Sequence, residues 1–90
     1  MRDNRSRRGT IWVVEVKSLS PSNETQQLRL GLGQVLDYQD RLLMRHPNVR
    51  SVLAVSAPPS DHRWLDLFER NGVTLIWPEI FDEVLREEGR

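Results

Sequence analysis

The chain has 90 residues, 38% of them apolar and 29% charged; that composition is of a folded protein with length for one domain, spanning 1–90, and a thin core. Thirteen basic residues balance thirteen acidic ones and cysteine is absent, which excludes a global positive field, disulfides, thiolate catalysis and Cys-based zinc sites, while two histidines leave hard, oxygen-ligated cations as the open metal class. Apolar runs are short and no charged-then-apolar leader opens the sequence, so neither a membrane span nor a secretory signal is expected, and the expected location is cytoplasmic.

The first nine residues, MRDNRSRRG, are polar and basic and read as an arm ending at Gly9. Thr10 to Lys17 (TIWVVEVK) is rich in β-branched and aromatic residues and is apolar on both alternating faces apart from Glu15 and Lys17, which predicts a strand buried on both sides. Ser18 to Asn23 carries turn chemistry, with Asn23 and Gln26 spaced as an N-cap and its partner. A helix is then predicted from Glu24 to about Arg45, its apolar face made of Leu28, Leu32, Val35, Leu36, Leu42 and Leu43. Pro47 ends it by restricting His46. Val49 to Ser56 predicts a second strand and Ala57-Pro58-Pro59-Ser60 stops it. A second helix is predicted from Asp61 to Asn71, capped by Ser60 or Asp61, with Trp64, Leu65, Leu67 and Phe68 inward and Gly72 at C′. Val73 to Trp77 predicts a third strand, and Ile80, Phe81, Val84 and Leu85 predict a last amphipathic helix over 79–90.

The order β-α-β-α-β-α implies an α/β fold with a small mixed or mainly parallel sheet and crossover helices. Three strands leave at least one edge open, so another segment or chain, in a homo-oligomer or with a different partner, is expected to complete the sheet.

Twelve of the thirteen basic residues are arginine, and Lys17 is the single lysine. Alternation puts Glu15 and Lys17 on one face of their strand, about 6.5–7 Å apart at the α-carbons. Holding an ion pair near the end of an apolar strand costs several kcal/mol of desolvation per ion, only partly offset by mutual attraction. One reading is a salt bridge at the rim of a sheet. The other is chemistry: Glu15 helps hold a hard divalent cation while Lys17 orients or deprotonates an attacking water, as phosphodiester hydrolysis requires.

The long helix carries a second stripe, Gln27, Gly31, Gln34, Tyr38 and Arg41, at intervals of 4, 3, 4 and 3. Gly31 and Gly33 each cost a helix interior about 1 kcal/mol relative to Ala, so a packing or access reason is expected. Close approach to the sheet is expected at Gly33, which adjoins the Leu32 and Val35 face.

Glu15-Val16-Lys17 on a strand, followed by a helix holding Gln34-Val-Leu-Asp-Tyr38, resembles the PD-(D/E)XK nuclease superfamily, its RecB-like branch in particular. The resemblance covers roughly residues 10–77. It implies half of a restriction-endonuclease-like core. It further implies a Mg²⁺ (or Mn²⁺) site formed by Glu15, the Val16 carbonyl and an upstream Asp, with Lys17 as catalytic base or transition-state stabiliser and Gln34 and Tyr38 lining the site. The substrate it implies is DNA. Such nucleases carry a helix and two strands ahead of the acid-x-Lys strand, whereas nine residues precede Thr10 here, and Asp3 is the candidate for the upstream ligand.

Gln27, Arg29 and Arg41 are candidate phosphate contacts, while exposed helical arginine is also ordinary. His46 and His62 read as end groups at helix boundaries, and Trp64 and Trp77 as core rather than base-stacking platforms. Two rival readings stand beside the nuclease: a catalytically silent remnant whose ion pair is residual, and an α/β interaction module that docks its open edge.

Overall fold

The computed structural model of the chain describes residues 9–80. Their order is β1 (Ile11–Lys17), α1 (Glu24–Leu43), β2 (Val49–Val55), α2 (Arg63–Arg70) and β3 (Val73–Ile76), each bounded within two residues of expectation. The last predicted helix lies outside the described residues from Phe81 onward. The strands form one parallel sheet in the order β1-β2-β3. Parallel neighbours cannot be joined by a tight turn, so each strand is followed by a helix that carries the chain back along the sheet.

The register aligns Val13 with Ser51 and Val73, and Glu15 with Leu53 and Leu75. Val13, Leu53, Val55, Val73 and Leu75 belong to one core cluster with Leu28 and Val35 of α1 and Trp64 and Phe68 of α2. Both α1 and α2 therefore cover the same side of the sheet. Trp64 is buried and Trp77 packs on the edge of the cluster, so both are core as expected.

This arrangement corrects the expectation for β1. Its even-numbered residues lie on the side opposite α1 and α2, where Trp12, Val14 and Val16 are 38%, 55% and 69% exposed, although Val52 and Ile76 on the same side of β2 and β3 are buried. The sheet grows in one direction, and crossovers of one hand then place both α1 and α2 on one side. Apolar content on both faces of a strand did not mean burial of both.

The glycines are also reversed. A Cβ on Gly31 would stand 2.8 Å from both methyl carbons of Leu53, whereas one on Gly33 would meet nothing within 4 Å. Gly31, not Gly33, is the point where α1 presses on β2. Gly33→Ala is accordingly expected to stabilise the fold by about 0.5–1 kcal/mol through helix propensity. At Gly31 the same gain is opposed by overpacking of about 1–3 kcal/mol. Urea midpoints of the two variants should move in opposite directions, or Gly31→Ala should at least gain nothing.

Capping differs from expectation too. Asn23 caps no helical N–H with its side chain. Its Oδ1 accepts the Ser20 N–H at 2.7 Å and its Nδ2 donates to the Ser18 carbonyl at 3.3 Å, so it closes the turn after β1. Gly72 follows α2 with φ +71°, the left-handed conformation expected at C′. Ser51, the one buried polar residue of the described core, donates its Oγ to Gln39 Oε1 at 2.6 Å and ties β2 to α1.

Candidate functional site

Glu15 and Lys17 lie on the helix-covered side of β1, opposite Leu53 and Val55 of β2. Strand alternation puts them on the face where Val13 is buried, but nearer the strand's carboxyl end, where the apolar layer thins. Lys17 Nζ stands 3.6 Å from Glu15 Oε2, and the two side chains are 14% and 28% exposed. The pair is thus a partly sheltered ion pair with a route to solvent.

The chain around Lys17 is held from two sides. The Ser56 N–H donates to the Lys17 carbonyl at 3.2 Å, and Ser56 Oγ accepts the Leu19 N–H at 2.8 Å. One serine at the end of β2 therefore pins the backbone before and after Ser18. Glu24, at the start of α1, accepts the Ser60 N–H at 3.0 and 3.1 Å and the Ser60 hydroxyl at 3.0 Å. Ser60 thus binds Glu24 instead of capping α2, whose N-cap is His62 with no side-chain cap bond, and the role of Ser56 was missed in the sequence because its partners are distant along the chain. Beside them is a shallow cavity of about 250 Å³ lined by Leu19, Ser20, Pro21, Glu24, Ala57, Pro58 and Ser60. It opens off the carboxyl ends of β1 and β2.

The stripe on α1 follows the same strand. Gln27 Nε2 approaches the Ser18 carbonyl at 3.5 Å, which fixes that end of the stripe just beyond β1. From there α1 runs back along the sheet, with Gly31 over Leu53 in the row of Glu15 and Gln34 one turn further on. Gln34 Oε1 is buried and accepts no hydrogen bond. A buried acceptor left unpaired costs about 1–3 kcal/mol. Tyr38, one further turn along, is half exposed. Gln27 is half-buried, whereas Arg29 and Arg41 are exposed, and Arg41 pairs with Asp37 at 3.3 Å.

The donors for a divalent cation are fewer than the resemblance implies. Among the described residues no group of three or more His, Cys, Asp or Glu side chains could hold a metal ion. Glu15 is a lone carboxylate with an ammonium beside it. The Val16 carbonyl is a possible oxygen ligand, and Asp3 lies outside the described residues. His46 and His62 sit at or just beyond helix ends, away from any such group. Among the described residues no helix is long and apolar enough to cross a membrane.

Comparison of the chain with protein-family models, with curated proteins and with solved structures finds no match in any of the three.

Proposed function

We propose that this chain is a nuclease-type domain, half of a restriction-endonuclease-like core, that acts on the phosphodiester bonds of DNA. The observation that carries the reading is the Glu15–Lys17 pair: one lysine in the whole chain, held 3.6 Å from a carboxylate on the covered side of a strand and still reached by solvent. Two further features support it. Gln34 Oε1, on the same helix stripe as Gln27, is buried without a partner, and the backbone on both sides of Ser18 is clamped by Ser56.

In this reading Lys17 positions a water and accepts its proton, or donates to the developing charge on the phosphate. Glu15 keeps the ammonium in place and offers oxygen to a cation. Gln34 and Tyr38 border the scissile group, while Gln27, Arg29 and Arg41 meet flanking phosphates. Mg²⁺ or Mn²⁺ would be held by Glu15, the Val16 carbonyl and Asp3, and would supply Lewis-acid stabilisation of the phosphoryl oxygens. The described residues contribute a single carboxylate to that set, so capture of the ion depends on Asp3.

The same single carboxylate favours one alternative, a catalytically silent relative in which Lys17 simply neutralises Glu15. The two readings separate by incubating the chain with plasmid and single-stranded DNA in Mg²⁺, in Mn²⁺ and in EDTA. The nuclease reading expects strand breaks in at least one metal and none in EDTA. DNA left intact under every condition at stoichiometric protein, with no metal-dependent binding, overturns it in favour of the silent form.

A further inference from the structure

We propose that the open edge of β1 pairs with β1 of a second copy of this chain, antiparallel, about a two-fold axis through Val14. Among the described residues β1 pairs with β2 alone. The Ile11 N–H donates to the Asn48 carbonyl and the Lys17 carbonyl accepts from Ser56, so the odd-numbered residues turn their backbone groups toward β2. Successive residues of a strand alternate. Trp12, Val14 and Val16 therefore turn their N–H and C=O groups to the open edge. The same three residues carry apolar side chains exposed on the side opposite α1 and α2.

Their spacing makes the edge complementary to itself. With the axis at Val14, that residue meets Val14 of the second copy, and Trp12 meets Val16 in both directions. All three positions become hydrogen-bonded pairs of an antiparallel ladder, about 5.5 Å apart at the α-carbons. Aromatic against β-branched is among the favourable cross-strand combinations. Moving the axis to Trp12 or Val16 pushes the other two beyond the ends of the strand. On the covered side, Glu15 then faces Val13 and Lys17 faces Ile11, so no like charges are directly opposed.

Nothing on the strand blocks this pairing. Ile11–Lys17 contains no proline, its register with β2 is uninterrupted, and its one lysine points to the helix-covered side; edges that avoid association usually carry one of those devices. The whole chain has a formal net charge of zero, so two copies do not repel through net charge. A single seven-residue edge buries less than the roughly 1,200 Å² of a standard interface, which suits a reversible dimer with Kd on the order of micromolar. The pairing engages the Val16 carbonyl. A carbonyl oxygen has two lone pairs, so this does not by itself exclude the metal role given to Val16 above.

Sedimentation of the full chain across about 1–500 µM, with cysteine cross-linking, tests this without reference to any activity. The chain has no native cysteine. Val14→Cys should form an inter-chain disulfide under mild oxidation, while Val16→Cys, whose two copies stand about 13–14 Å apart along the strands, should react at least about ten-fold more slowly. Trp12→Cys mixed with Val16→Cys should yield the mixed dimer. Val14→Lys places two ammonium groups on the axis and should be monomeric with an unchanged circular dichroism spectrum. A wild-type chain that stays monomeric to 500 µM, or Val14→Cys and Val16→Cys that cross-link equally fast, overturns the proposal.

Discussion

Lys17→Ala is expected to lower metal-dependent cleavage of DNA by about 10²–10⁴-fold, the contribution of a positioned general acid or base. Lys17→Arg should lose nearly as much. Arginine keeps the charge and the partnership with Glu15, but it does not give up its proton near neutral pH and its fork is wider than an ammonium. The pair of variants therefore separates proton transfer from simple neutralisation. If arginine restores the rate, Lys17 acts only as a charge; if alanine produces the same products at the same rate, the chemistry is elsewhere. Neither substitution should unfold the protein. Glu15 is 28% exposed and can exchange its ammonium partner for water, so unfolding midpoints should stay close to wild type.

The largest effect on stability is expected at Leu53. It is completely buried in the middle of the central strand, beneath Gly31 of α1 and in the row of Glu15 and Leu75. Leu53→Ala removes the side chain that fills the notch above Gly31. A rigid cavity there costs about 2.7–5 kcal/mol. Domains hold only about 5–15 kcal/mol in total, and short ones with a thin core lie at the low end. The variant is expected to be substantially unfolded at physiological temperature, or to show a urea midpoint near half that of the parent. Adding Gly31→Ala should recover part of the loss, because the new methyl enters the vacated space. A second substitution that adds its own penalty instead would mean that α1 does not touch Leu53 as described.

The element order was legible because each segment of the chain carries one dominant signal. TIWVVEVK is a short run rich in β-branched and aromatic residues, Leu28 and Val35 recur at helical spacing, and Gly72 stops α2 with the backbone sign that glycine alone adopts easily. What escaped was information held between segments. Nothing local in Gly31 or Gly33 says which of them lies over a leucine more than twenty residues away. The exposure of Val14 and Val16 depends on where the crossovers run, not on the strand's own composition. Asn23 has the right spacing for a cap, yet the turn back from β1 offers its amide closer partners at Ser18 and Ser20. Within the candidate site, Glu15 and Lys17 were readable from alternation alone. Ser56 and Ser60 were not, since a hydroxyl in a loop gains its role only from what the fold brings to it.

An all-parallel sheet also dictates when this protein can form during synthesis. Ile11 must wait for Val49, and Ser51 for Val73, so no strand finds its neighbour until the helix between them has left the ribosome. Assembly governed by such distant contacts is slow compared with a helical bundle of equal length. Until then α1 is, among the described elements, the one with enough local hydrogen bonding to take shape early, and the nascent IWVVEVK segment travels unpaired, open to chaperones or to its neighbours on the same message.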